Sequence, residues 1–509
     1  MKYLLGTDTG STMAKAALFD LEGREIACAG RPLIVHSPHP GWREVDPEQL
    51  WQATAESIRE VVATSGVNPA DIVAMATSGA GDGGYYLDED GKPVRRAIQS
   101  SDGRAVELVK ELKAAGVFDR VAAAGGTVVG SNRTTVLGLW IKRHEPEAFR
   151  RIRRVTVTKD YTKYRLTGQW NSDVTDACSP GFVNLNTMQY SRELVEAVGV
   201  PEFYDMLSPF TESWEIMGRV APEAARQTGL LAGTPVASGL HDVEACAFGC
   251  GGITPGEMVL IAGTWNINLI LVPKGFTHPT VYARRTAVPD VYFVGAIGAT
   301  SAANLDWFLA RCGGDERAEA AAQGVSVYDL VNASVDGLSP RGMDLIYHPF
   351  LHIHGQNLPD GARAGFYGIS GWHTKAHLFR ALYEGVAFSH LDAVQQLPDL
   401  GIDVRLGHLT GGAAKSAVWS QMFADVMGME ISVVEAQEVG SLGAALCAGI
   451  GAGVFKDPAD AVAKAVRVAR RHQPNPDVAP TYRERYEVYS YLIDAMVEPW
   501  QRLATLRKQ

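Results

Sequence analysis

The chain opens with apolar runs of strand length, Tyr3 to Leu5 and Ala14 to Phe19, with a shorter one after the polar turn Leu21 to Arg24; together they predict an antiparallel meander. Glu48 to Ala63 then places Leu50, Trp51, Ile58, Val61 and Val62 at helical spacing, and Ile72 to Ala76 is a short apolar run entering the glycine-rich Ser78 to Gly84. Strands alternating with helices predict an α/β fold. Past the glycine-rich Gly239 to Gly256, the stretch Met258 to Val272 repeats the opening theme of strand, Gly-Thr turn and strand, with Gly263-Thr264 in the place of Gly6-Thr7. Two halves with the same opening predict a duplicated domain with a cleft between the copies and a boundary near Ala247, giving domains 1–247 and 248–509. From Pro480 to Leu506, Tyr486, Val488, Tyr491, Leu492, Met496, Trp500 and Leu503 recur at roughly helical intervals and predict one long packing region.

Composition narrows the class. The 509 residues are enough for two large domains or three smaller ones, and 46% apolar with 20% charged residues excludes a disordered or low-complexity chain. A net charge of −10 provides no global field for phosphate backbones, so neither a nucleic acid nor an anionic membrane is an expected partner. The most apolar stretch, Met258 to Val272, is broken by Gly263, Thr264, Asn266 and Asn268, so no bilayer-spanning helix is predicted. Asp8 interrupts the N-terminal apolar run before it could form an export signal. The cysteines, Cys28, Cys178, Cys246, Cys250, Cys312 and Cys447, lack a paired framework, as expected of reduced thiols in a cytoplasmic protein.

P-loop, HExxH and GxSxG motifs are absent, and the GxGxxG from Gly79 to Gly84 is followed by a strand-and-turn sequence where a dinucleotide site needs a helix. Three glycine-rich turns remain. In Gly6 to Thr12, Asp8 stands among backbone amides and the hydroxyls of Thr9, Ser11 and Thr12, with Lys15 close behind. Such a turn can hold phosphate oxygens if a Mg²⁺ separates them from the aspartate, or it can be an ordinary hairpin. Gly411 to Ser416 precedes a helical pattern, which offers either free amides and a helix dipole to an anion or simply a tight turn. Asp242, three residues after Gly239, opens a short apolar helical segment, where it is either an outward-facing base or a plain N-cap. His348, His352, His354, His373 and His377 lack zinc-ligand spacing, Cys246 and Cys250 read as inert core thiols, and the basic run Arg150 to Arg154 reads as a solvated face.

These turns, together with AGFYGISGWHTKAHLFRALYE (Ala364 to Glu384), SGAGDGGYYLDEDGKP (Ser78 to Pro93), SSDGRA (Ser100 to Ala105) and GGAAKSAVWSQMFADVMG from Gly411, resemble the FGGY family of carbohydrate kinases almost end to end. The resemblance implies two ribonuclease-H-like domains of the actin, hexokinase and heat-shock ATPase superfamily closing over a sugar or polyol and Mg²⁺·ATP. On that pattern Asp242 is the general base and Asp8 organises the Mg²⁺, directly or through water. Thr9, Gly10, Ser11, Thr12 and Lys15 lie beside the phosphates, as do Gly263 and Thr264, and Gly411, Gly412, Ala413 and Lys415 line the adenosine pocket. Gly81, Asp82 and Asp102, with Asp242 itself, contact the sugar.

Three positions depart from the common pattern. Leu137 stands where a lysine is usual three residues before Trp140; Gly81-Asp82 replaces the Met-His of xylulose kinases; and His241-Asp242-Val243 replaces their Gly-Asp-Asn or Gly-Asp-Gln. "DVEACA" with "GDGGY" is similar to the branch that includes L-xylulose and erythritol kinases. The expected activity is phosphorylation of a hydroxyl on a small ketose or tetritol in carbohydrate catabolism; the alternative is a non-catalytic ATP-gated clamp or sugar-sensing pseudokinase. A homodimer is one assembly the sequence leaves open.

Overall fold

Alternate residues of the opening strands go to opposite faces of one sheet, and each face has its own helical cover. Leu5, Ala14, Ala16 and Leu18 pack with Leu50, Trp51, Ile58 and Val61 of helix Pro47–Thr64, whereas Leu4, Ala17 and Phe19 pack with Leu442, Ala444 and Ala445 of helix Val439–Gly451. The computed structural model describes residues 1–274, 282–352, 358–359, 361–397 and 400–506; His354 lies outside them.

The predicted meander is present as strands Tyr3–Thr9, Met13–Asp20 and Glu25–Pro32, paired antiparallel. Strand Ile72–Gly79 joins it in parallel, strand Pro235–His241 continues in parallel, and Ile216–Arg219 closes the sheet antiparallel. This six-stranded sheet belongs to a compact unit made of Met1–Pro255, Val272–Val294 and Glu435–Arg467. A second unit, Gly256–Leu271, Gly295–Val434 and Val468–Gln509, repeats the plan: Val291–Thr300, Trp265–Pro273, Glu257–Ala262, Leu406–Gly411, Glu430–Val434 and Val468–His472 lie in that order, the last four paired parallel, parallel and antiparallel. The duplication read from the paired openings is therefore a repeated sheet topology. A single boundary after residue 247 does not describe the compact units, because helix Val439–Gly451 is built into the first unit's core.

That helix also explains a glycine. A Cβ on Gly6 would stand 1.8 Å from the Ser441 carbonyl oxygen, so the strand and helix backbones meet with nothing between them. Gly6-Thr7 is accordingly mid-strand, and the turn equivalent to Gly263-Thr264 is Gly10 to Thr12, closed by Gly10 N–H donating to the Met13 carbonyl at 3.0 Å. In the second unit the C-terminal helical region is two helices, Ala479–Ala495 and Val497–Thr505. Pro499 has no N–H to continue the first ladder but is tolerated in the opening turn of a new helix, so the chain restarts at Val497.

Candidate active site

Asp8 is next to last in the first strand, across from Lys15 in antiparallel register and beside Ser78 in parallel register. Ser78 Oγ donates to Asp8 Oδ1 at 3.3 Å. Gly440, in the first turn of helix Val439–Gly451, covers the carboxylate from the other side; a Cβ there would lie 2.6 Å from Asp8 Oδ2. Burial, then the charge of Asp242, push the Asp8 pKa up to about 7 against the pull of Lys15. Lys15 itself reaches Glu438, with Nζ 2.9 Å from Oε2. Burial opposes the ammonium, and Glu438 outweighs it, so the Lys15 pKa stands above its ordinary value.

Strand Pro235–His241 runs into helix Asp242–Gly249, and the N-cap of that helix is His241, in extended backbone at φ −58°, ψ 145°. Asp242 is therefore the first helical residue and has no capping duty. Its side chain keeps 30% exposure beside a 6% exposed His241. His241 Nδ1 lies 3.0 Å from Asp242 Oδ1 and 2.9 Å from Glu244 Oε2, with the Val243 N–H at 3.2 Å. One nitrogen cannot donate to a carboxylate and accept from Val243 together, and the two shorter carboxylate distances favour a hydrogen on Nδ1. Burial and Arg284 oppose a charge on the ring, but Glu244 and Asp242 outweigh them and hold the His241 pKa well above the usual histidine value. Glu244 is fully buried and pairs with Arg284, Nε to Oε1 at 3.2 Å.

Gly10, Ser11, Ala80, Asp82, Gln99 and Ser100 line one small pocket, so the first turn and the Ser78–Gly84 segment do meet. Asp82 sits at φ +57°, and its carboxylate takes both contacts of Arg133 Nη1, at 2.8 and 2.9 Å, plus donors from Asn132 and Ser179. Gly81 presses on His241: a Cβ would stand 1.8 Å from the ring's Cδ2. In the second unit Thr264 is exposed at its turn, while the Thr264 and Gly263 carbonyls accept from Ser301 and Ala303.

Four of the expected site positions have surroundings that bear on their roles. Asp102 has a side chain with no exposed surface, and its oxygens accept from Arg104 Nε and Nη2 and from the Arg43 and Arg104 amides, so it ties loops together. Thr9 is fully buried against Thr54 and is a core residue of the strand. Ala413 is fully buried, leaving Gly412 and Lys415 as the exposed members of their set. A 3₁₀ turn, Ala413–Lys415, separates the glycines from helix Ala417–Met427, whose cap is Ser416 Oγ accepting from Trp419 N–H at 3.1 Å, so Gly411 and Gly412 do not line that helix N-terminus.

The bland readings of several side chains hold. Burial lowers His348 to about 4, and its ring packs on Phe350 and Tyr489. His377 completes a capping box with Thr374, and His373 Nε2 lies 3.0 Å from Asp344. Burial, then the Asp8 and Asp242 charges, raise the Cys246 thiol well above the ordinary value, which makes it unreactive. Strand Tyr85–Leu87 and the turn Asp88 to Lys92 follow the GxGxxG, in place of a helix. No helix among the described residues is long and apolar enough to cross a membrane. Sequence reasoning missed Glu438 and Gly440, which reach Lys15 and Asp8 respectively from more than 400 residues away and have no local signal. Glu244 was legible in principle, two residues after the base.

The raised Asp8 value has a thermodynamic sign. Between 3.8 and about 7 the native chain holds a proton that the unfolded chain has lost, so this group's contribution to stability falls as pH rises through that window and stays lost above it. Asp176, lifted to about 7 by burial, acts in the same direction. Asp8→Asn is expected to melt higher than the wild type at pH 8, by about 2–4 °C for each kcal/mol relieved, and no higher at pH 4. Calorimetry at the two pH values checks this, and equal melting at pH 8 counts against a crowded carboxylate.

Residues 3–249 match the model of the N-terminal domain of the FGGY family of carbohydrate kinases, and residues 258–452 match that of its C-terminal domain. The chain is 35% identical over 500 residues to an L-xylulose/3-keto-L-gulonate kinase of Escherichia coli, covering 97% of each chain. It is 33% identical to a probable L-xylulose kinase of Pasteurella multocida, covering 97% of this chain and 99% of that one. The crystal structure of a xylulose kinase from Rhodospirillum rubrum superposes with a TM-score of 0.82 at 29% identity, over 98% of this chain and 100% of that one. With its two repeated α/β sheets and a carboxylate opening the helix after Pro235–His241, the chain belongs to the FGGY family of carbohydrate kinases and is an enzyme of that family.

Proposed function

We propose that this enzyme transfers the γ-phosphoryl group of ATP to a hydroxyl of a ketopentose, with L-xylulose the first candidate and a 3-keto sugar acid or a tetritol the next. The observation that carries the reading is Asp242, an accessible carboxylate freed from capping by His241 and placed in the field of Asp8. Asp242 takes the hydroxyl proton as the oxygen attacks the γ-phosphorus and ADP leaves. The turn residues Gly10 and Ser11, half-buried, and Thr12, exposed, line the phosphate side with Lys15. In the second unit Gly263, Thr264, Gly411, Gly412 and Lys415 serve the nucleotide in this reading. Gly81 and Asp82 shape the sugar side, the latter held rigid by Arg133.

Asp8 suits Mg²⁺, because a carboxylate whose proton affinity is raised by burial and by the neighbouring Asp242 charge is one that a divalent cation relieves. Asp8 would hold the ion directly or through water, and when bound it neutralises phosphate charge. A cytoplasmic location suits a sugar kinase using ATP. The pseudokinase alternative loses ground because carboxylates stand at both 8 and 242 and the relatives compared are themselves named as kinases. A coupled ADP-release assay over L-xylulose, D-xylulose, 3-keto-L-gulonate, erythritol and glycerol tests the proposal. L-xylulose should give the highest kcat/KM, and ADP release that no sugar stimulates would rule the reading out.

A further inference from the structure

His241 stands out because it joins the two parts of the site that the proposed reading treats separately. Its ring fills the place where Gly81 has no side chain: a Cβ there would fall 1.8 Å from Cδ2 and 2.3 Å from Nε2. The other ring nitrogen, Nδ1, lies 3.0 Å from the Asp242 carboxylate. The backbone is pinned as well, with the His241 N–H donating to Thr175 Oγ1 at 2.9 Å. The imidazole is thus clamped between the sugar-side turn and the acid at position 242.

We infer that His241 is a positioning residue for the phosphoryl acceptor: seated over Gly81, its imidazole aims the Asp242 carboxylate and forms the wall against which the sugar rests. This rests on the reading of Asp242 as the base. The charges facing the ring come from three further directions. Glu244 Oε2 is 2.9 Å from Nδ1, and Arg284 Nη2 reaches the same nitrogen at 3.5 Å from strand Tyr282–Arg285. Asp176, on helix Val174–Cys178, places Oδ1 2.6 Å from the point a Gly81 Cβ would take. The ring cannot swing toward Gly81 without meeting backbone, and Glu244 holds it on the side of Asp242. A sugar hydroxyl presented to Asp242 therefore meets a carboxylate of fixed direction, which is what a short phosphoryl-transfer geometry requires.

The ring and the missing side chain at 81 form one device, so their substitutions should not add. His241→Ala is expected to lower kcat about 10- to 100-fold and raise the sugar KM several-fold with the ATP KM unchanged, the size of a misplaced catalytic group. His241→Asn, which keeps an N–H toward Asp242, should recover much of kcat. Gly81→Ala drives a methyl into the ring and should raise the sugar KM by about tenfold in the wild-type background, yet have a clearly smaller effect in the His241→Ala background, where Asp176 Oδ1 alone still meets the methyl. The measurements are steady-state kinetics with L-xylulose on the full-length enzyme and cooperative melting of each variant. A folded His241→Ala enzyme with wild-type kcat and sugar KM overturns the inference, as do additive effects at the two positions. A wild-type sugar KM in Gly81→Ala overturns it whether or not the position-241 variants fold. Asp242→Asn separates the two claims: if that variant keeps its turnover, the reading of the base fails first.

Discussion

Asp242→Asn is expected to lower kcat about 10²- to 10⁴-fold, the range for loss of a general base, while ATP binding stays close to that of the wild type. Asparagine keeps the shape and the contact with His241 but cannot accept the hydroxyl proton. The loss corresponds to about 3–5 kcal/mol of transition-state stabilisation. It is not total, because alignment of the acceptor and neutralisation of phosphate charge are supplied by other residues and survive the change. Folding should not suffer: the carboxylate is partly exposed, it does not stand at the N-cap of its helix, and removing its charge relieves Asp8. Turnover with L-xylulose, measured beside the dissociation constant of ADP, checks both halves of the expectation. Near-normal turnover would defeat the assignment of the base.

Much of the fold was legible because it depends on short-range patterns. The meander, the helix at Pro47–Thr64 and the repeated opening at Met258 all follow from apolar period and turn chemistry within a few dozen residues. What escaped was set by distant packing. Nothing near Asp8 announces that Gly440 will lie on its carboxylate or that Glu438 will claim Lys15. Asp102 has the residue type of a sugar contact, and only the arrangement of Arg104 and the Arg43 amide shows that its acceptor sites are taken. Two departures that looked independent in the sequence, glycine at 81 and histidine at 241, prove to be one event in space, since the ring occupies the volume that any side chain at 81 would need. A single chain cannot show this coupling; contact does.

Glu384→Ala is expected to destabilise the second unit by about 3–5 kcal/mol, the cost of stripping one partner from a buried charge cluster. Glu384 lies in the Ala364 to Glu384 segment that most closely resembles the family signature, yet its work is in the core. Its carboxylate is 1% exposed and accepts from Arg380 Nε at 2.8 Å and from Arg485 Nη2. The two guanidiniums also donate to Tyr482 and to the carbonyls of Leu338, Met343 and Leu345. They join the helix Lys375–Gln395 to the helix Ala479–Ala495 and to the chain between 338 and 345. Removing the one anion leaves two desolvated cations facing each other, whereas removing all three charges leaves none. The triple variant Glu384→Leu, Arg380→Met, Arg485→Met should therefore melt closer to the wild type than Glu384→Ala does, even though it alters three residues to one. At about 2–4 °C per kcal/mol for a unit of this size, the single variant should lose roughly 10 °C in calorimetry. A loss of only a degree or two would mean that water reaches these groups, and the signature would then have to be explained by something other than buried electrostatics.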